Sequence, residues 1–411
     1  MNLVRYLRFK LSYFNPSRLL ASKMTPFEVQ DYLFSNIRGR DTRDIASPRL
    51  RPKTPIVPTC DEFLIELIDL GSNEALSVRV LELINIMIPS WKGTQLTNLK
   101  LTRITGALTN SIYAVENLNP PTKGPKKLLL RIYGIGAEQF VDRNKEIAWL
   151  SKLSACNVGP KLLGIFGNGR IEEFLESETL THEDIITKST SIHIAKRMSD
   201  LHNLAKKYPA PSDTVPEFLN CIRSWLPLAK DQYLKMQHLV DSECFPIDFN
   251  ALEDKISRLE EITLASKAPL VFCHNDAQYG NILRLTSGEL VVVDFEYAGY
   301  SLAAYDIANH FCEWMANYHS EKPHVLTEAH YPTLTERSTF LRAYLEAQHG
   351  SVDELALKKL SQEVERLTLA SHLHWGLWGI IQASSSAIEF NYMAYGTQRL
   401  SLFLAEFHLR I

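Results

Sequence analysis

Apolar residues follow one spacing near the start of the chain and another beyond it, and each change marks an element. Between Asp61 and Trp91, Leu64, Leu67 and Leu70, then Val80, Leu81, Leu83, Ile84 and Met87, recur at three- and four-residue intervals, predicting two short helices. Strand-like runs follow: LKLTRI, SIYAVE and, after a turn cluster from Pro120 to Pro125, KKLLLRIYG. VDRNKEIAWLSKLSA reads as a helix ended by NVGPK, and LLGIF and RIEEFL as two more strands around the turn GNG. From Ser177 the pattern is mainly helical up to the stretch FCHNDAQYGNIL, and helical again from Ala303 to the end. Strands first and helices afterwards predict an α+β chain in two lobes, a small β-rich one and a larger α-helical one. The expected organisation is an extension over residues 1–60, an N-terminal lobe over 61–176 and a C-terminal lobe over 177–411.

Composition narrows the class. The 411 residues, 45% hydrophobic and 22% charged, suit a globular enzyme, and a net charge of −3 gives no broad field for nucleic acid. No apolar run approaches the roughly 20 residues that span a bilayer. The six cysteines are scattered with no C-x-x-C pair, which predicts reduced thiols in a cytoplasmic protein. The first 23 residues carry Arg5, Arg8, Lys10, Arg18 and Lys23 with no acid before Glu28. That reads as a basic extension, with a mitochondrial transit peptide as the alternative. Pro52, Pro55 and Pro58 mark its end.

The concentrated chemistry lies in FCHNDAQYGNIL and the following VVVDFE. The spacing H-x-D-x-x-x-x-N at His274, Asp276 and Asn281, followed by Asp294 at the end of an apolar run, is what phosphoryl transfer from ATP requires. Asp276 would accept the proton of an attacking hydroxyl. Asn281 and Asp294 would hold Mg²⁺, a hard cation that takes oxygen ligands and keeps positions for phosphate. Residues Ile282–Leu285, the turn TSGE and Leu290–Val293 would form the hairpin that separates them. Capping and turn formation explain one such residue but not four at this spacing.

Upstream, Gly106 with Thr109 and Asn110 lies between two strand-like runs, in position to meet phosphate. Arg131 on the next strand and Glu146 on the next helix would form the cation and carboxylate pair that grips the α and β phosphates. Backbone groups around Glu173 and Leu175 would form the hinge against adenine.

HNDAQYGNIL, VVVDFEYAGY, DIANHFCEW, LLLRIYG, NVGPKLLGIFGNGRIEEF and WGLWGIIQ resemble the choline/ethanolamine kinases, from about Met87 to about Arg399. The resemblance implies a protein-kinase-like fold, ATP with Mg²⁺, phosphorylation of choline or ethanolamine, and a homodimer. It implies Asp276 as base, Asn281 and Asp294 as metal ligands, Gln278 as a nucleotide or substrate contact, and Arg131 as a phosphate contact. Tyr297, Glu313, Tyr318, Trp375, Trp378 and Tyr395 would line the amine pocket, with Trp314 and Tyr392 left to the core. A quaternary ammonium has no N–H to donate, so aromatic faces and a nearby carboxylate are what would hold it. The chain departs from the family pattern at Ser301, Leu302, Ala303 and Ala304, where a polar and a basic residue are usual.

Two other readings stay open at this stage. A kinase of aminoglycosides or another amino alcohol would share the motif but favour an acidic pocket over an aromatic one. A pseudokinase scaffold would be expected to lack Asp276, Asn281 or Asp294, and all three are present.

Overall fold

A computed structural model of the protein describes residues 57–66, 72–104, 110–133, 142–236, 240, 243–384 and 390–411. Gly106, Thr109, Leu67, Leu70 and residues 1–56 lie outside this set. The smaller lobe is built on a six-stranded sheet of β1 (Thr59–Cys60), β2 (Leu99–Ile104), β3 (Asn110–Asn117), β4 (Lys127–Tyr133), β5 (Leu162–Phe166) and β6 (Gly169–Glu173), in the order β1-β5-β6-β4-β3-β2. Helix α1 (Asn73–Met87) begins at Ser72, whose hydroxyl accepts from the Ala75 N–H, and ends just before Pro89. Leu76, Val80, Leu83, Ile84 and Met87 form its buried face and share one core with Leu128, Leu130, Ile132 and Ile171 of the sheet.

Two expectations change here. Residues 61–66 are not helical, because Ile65 is tied through both its N–H and its carbonyl to the Asn168 amide in the β5–β6 turn. Those bonds hold the segment extended. Thr59 and Cys60, assigned to the extension, pair in parallel with Ile165 and Phe166.

The larger lobe contains α3 (His182–Ile186), α4 (Lys188–His202), α5 (Glu217–Lys235), α6 (Phe249–Leu264), α7 (Ala303–Glu313), α8 (Leu334–His349), α9 (Glu354–Ala383) and α10 (Tyr392–Arg410). Helix α2 (Arg143–Ala155) joins it to the smaller lobe, and Trp149 packs 4.2 Å from Phe272. Three short strands escaped the sequence reading's helical pattern. They are β7 (Ser177–Thr179), paired with β9 (Ile282–Leu285), and β8 (Leu270–Cys273), paired with β11 (Gly299–Leu302). The expected hairpin is present as β9 and β10 (Leu290–Val292). The family departure at Ser301 and Leu302 falls on β11, where the two residues pair with Val271 and Leu270.

Helices α9 and α10 meet through glycine. A Cβ placed on Gly379 would lie 2.9 Å from the Gly396 Cα, and one on Gly376 would lie 2.7 Å from the Leu400 side chain. Backbone contact this close brings Trp375 and Trp378 beside Tyr395. No helix among the described residues is long and apolar enough to cross a membrane.

Candidate active site

Strand β8 delivers His274, Asn275 and Asp276 to one point, and α7 fixes them there. Asp306 accepts from the backbone N–H of His274 at 2.9 Å and of Asn275 at 2.8 Å, and its Oδ2 lies 3.0 Å from His202 Nε2. Asn275 takes a left-handed backbone (φ 63°), a strain that Asn tolerates and these bonds hold. Asn309 donates to the Asn275 carbonyl, and His310 Nδ1 lies 2.8 Å from the Ala277 carbonyl. The loop therefore rests on one helix.

Burial pushes the Asp306 carboxyl up, but the bond and charge of His202 outweigh it and leave it lowered. A lowered carboxyl stabilises the fold above the ordinary aspartate range, and that stability is lost as acid carries the pH down through the lowered value. Asp306→Ala should lower unfolding stability by about 3 kcal/mol at neutral pH, because it strands three donors in a fully buried site. Urea unfolding checks it, and a loss under about 0.5 kcal/mol would contradict the anchoring role.

Asp276 is partly accessible. Asn281 Nδ2 donates to its Oδ2 at 2.7 Å and to its carbonyl at 2.9 Å, which turns the Asn281 amide oxygen away as a free ligand. Burial, then Glu313, Asp294 and Glu296, raise the Asp276 pKa well above the ordinary value. Gln278, expected to touch nucleotide or substrate, caps the turn with Oε1 accepting from Gly280 N–H at 2.7 Å. Its amide nitrogen remains the group for any such contact.

Val293 N–H donates to the Asn281 carbonyl, which places Asp294, at φ 66°, beside the loop. Arg131 Nη1 reaches Asp294 Oδ1 at 3.0 Å, spanning the two lobes. Burial raises the Asp294 carboxyl, but Arg131 and Arg170 overcome this and leave it lowered. The expected Arg131–Glu146 pair is not formed. Glu146 is held by Arg170 at 2.8 Å and Arg143 at 2.9 Å, while Arg131 lies 3.6 Å from Glu172.

Strand register is the cause: Arg131 and Arg170 sit directly opposite on β4 and β6, so each cation needs its own acid. Arg143 also donates to Asn110 Oδ1 at 3.2 Å and approaches Glu296 at 3.5 Å. Burial, then Asp294 and Glu146, push the Glu296 carboxyl up to about 7. Sequence reasoning missed Arg143, Arg170, Glu172 and Glu296. Period-two spacing was the available signal, since Arg170 and Glu172 share a strand face and Glu296 follows Asp294 by two.

The three arginines Arg131, Arg143 and Arg170 thus meet the four carboxylates Glu146, Glu172, Asp294 and Glu296, with Asp276 adjoining. This acidic excess, with Asp294 partly accessible and its neighbour Val293 bonded to the Asn281 carbonyl, fits a hard cation. At the expected hinge, Glu173 N–H is taken by the Lys161 carbonyl and the Leu175 carbonyl accepts from Ser177 Oγ.

The aromatic residues predicted for an amine pocket come together. Tyr297 and Trp375 rings lie 5.2 Å apart, Trp375 and Trp378 5.4 Å, and Trp378 and Tyr395 6.4 Å. Polar ends are tied back: Trp378 Nε1 donates to Tyr297 OH at 2.9 Å and Trp375 Nε1 to Asn309 Oδ1 at 2.7 Å. Tyr318 OH donates to Glu313 Oε2 at 2.7 Å, and Arg399, unnoticed in the sequence, donates to Glu313 Oε1 at 2.7 Å. Trp314 is buried as expected of core. Tyr392 is buried too, but its ring lies 5.6 Å from Trp378 and so backs the cluster.

A partly accessible carboxylate on the loop, carboxylates and arginines meeting between the lobes and a cluster of aromatic rings nearby fit phosphoryl transfer to a small molecule. The fold is protein-kinase-like, and the protein is a kinase of the small-molecule class. Residues 101–404 match the family model described as choline/ethanolamine kinase. A relative named probable choline kinase 2, from Arabidopsis thaliana, is 40% identical over 305 residues, spanning 73% of this chain and 83% of its own. Among solved structures, a choline kinase from Cryptosporidium parvum superposes with TM-score 0.68 at 29% identity, covering 80% of this chain and 94% of its own. An ethanolamine kinase from Plasmodium vivax gives TM-score 0.66 at 27% identity, covering 83% and 91%. The chain belongs to the choline/ethanolamine kinase family.

Proposed function

We propose that the protein transfers the γ-phosphoryl group of ATP to the hydroxyl of choline, and of ethanolamine, releasing ADP and the phosphorylated amino alcohol. The observation that supports this is the cluster of Tyr297, Trp375, Trp378 and Tyr395 rings, with Glu313 held by Arg399 beside Tyr395 and the Tyr297 carbonyl bonded to Asn275 of the loop that bears Asp276. Ring faces attract the ammonium, and the two-carbon arm presents the hydroxyl to Asp276. Asp276 accepts the hydroxyl proton as the oxygen attacks the terminal phosphorus. Arg131, buried among carboxylates, lends its fixed charge to the phosphates. Asn281 and Asp294 would hold Mg²⁺, which neutralises phosphate charge when bound. Six cysteines scattered along the chain with no C-x-x-C pair support a cytoplasmic location. A homodimer is part of the same proposal, on the family resemblance.

The test is ATP turnover by purified protein with Mg²⁺, comparing choline, ethanolamine and no acceptor. Turnover dependent on either amine supports the reading. Folded, ATP-binding protein that turns over with neither amine overturns it. Trp378→Ala should raise the KM for choline about tenfold with a smaller change in kcat, since it removes one ring face from a desolvated cation. Steady-state kinetics check this, and an unchanged KM would remove Trp378 from the pocket.

A further inference from the structure

Arg399 is fully buried on α10, in the wall of the proposed ammonium pocket. It pairs with Glu313 Oε1 at 2.7 Å, and its guanidinium lies 5.2 Å from the Tyr395 ring centroid. Its Nε and Nη1 find no hydrogen-bond partner among the described residues. A buried arginine with two idle donors is poorly explained by stability, because an apolar side chain of similar volume often does as well in such a place. The other oxygen of Glu313 is taken by Tyr318 OH. Glu313 therefore has a strong donor on each oxygen, and its charge is offset before any amine arrives.

We infer that Arg399 is a specificity-determining positioning residue: by occupying Glu313, it makes the pocket select ammonium groups by aromatic contact rather than by N–H donation. This rests on the proposed reaction. A quaternary ammonium loses no hydrogen bond when Glu313 is occupied, because it has no N–H to give, and the offset charge weakens the pull on both amines alike. A primary ammonium must compete with Arg399 and Tyr318 for the same oxygens. Arg399 thus biases the site toward the quaternary amine without touching it.

The experiment measures kcat/KM for choline and for ethanolamine in wild type, Arg399→Met and Tyr318→Phe. Arg399→Met should raise the ethanolamine-to-choline ratio about tenfold, the worth of one charge-assisted hydrogen bond, with the change in KM. Tyr318→Phe, which frees the other oxygen and keeps the buried arginine, should move the ratio the same way by less, and it stands as the test should Arg399→Met fail to fold. A ratio unchanged in the folded variants, with both amines falling together, overturns the inference and leaves Arg399 a structural residue. Wild-type protein inactive on both amines would instead overturn the proposed reaction, so the two failures are separate.

Discussion

Asp276→Asn should retain the fold and nucleotide binding but lose amine-dependent ATP turnover, with kcat falling by about 10³- to 10⁴-fold. The substitution keeps the side chain's shape and removes its negative charge, and with it the capacity to accept a proton. The acid limb of the wild-type pH profile is part of the same expectation. Burial first, then Glu313, Asp294 and Glu296, raise the Asp276 pKa, and only the ionised form can take the hydroxyl proton. The kcat/KM for choline should therefore rise with pH through a value above the ordinary aspartate range, flattening once Asp276 is ionised. Steady-state assays across pH, with nucleotide binding by calorimetry as the control for folding, decide it. Activity within tenfold of wild type would remove Asp276 from the role of base.

Asp294→Asn should cost about 10³-fold in turnover and abolish the gain in nucleotide affinity that Mg²⁺ gives. An amide at this position keeps one oxygen but carries no charge, and Arg131 loses its 3.0 Å partner across the lobes. Arg131 would then turn wholly to Glu172. Titrating ATP into the variant with and without Mg²⁺ reads the metal-dependent part directly. Magnesium dependence equal to that of the wild type would place the cation elsewhere.

Much of this was legible in the chain because it was local. His274, Asp276, Asn281 and Asp294 fall on one loop and hairpin whose spacing alone sets their separation. The tryptophans were legible as a pair on one face of α9. What escaped depended on register and on distant partners. That Glu146 would meet Arg170 rather than Arg131 follows from the pairing of β4 with β6, which no single segment announces. Arg399 lies 86 positions from Glu313, on a different helix, and only the tertiary fold brings the two together. The strand at Thr59–Cys60 was hidden because two residues carry no periodicity.

Helix α7 holds the loop at Asp306 and supplies the pocket carboxylate at Glu313. Those two positions lie about two turns, or roughly 10 Å, apart along one rigid rod. The helix therefore acts as a gauge: the span between the proton acceptor and the ammonium seat is fixed by helical rise and cannot stretch to suit the guest. Under the proposed reaction, an alcohol's reach from nitrogen to oxygen is measured against a length already cast in the backbone.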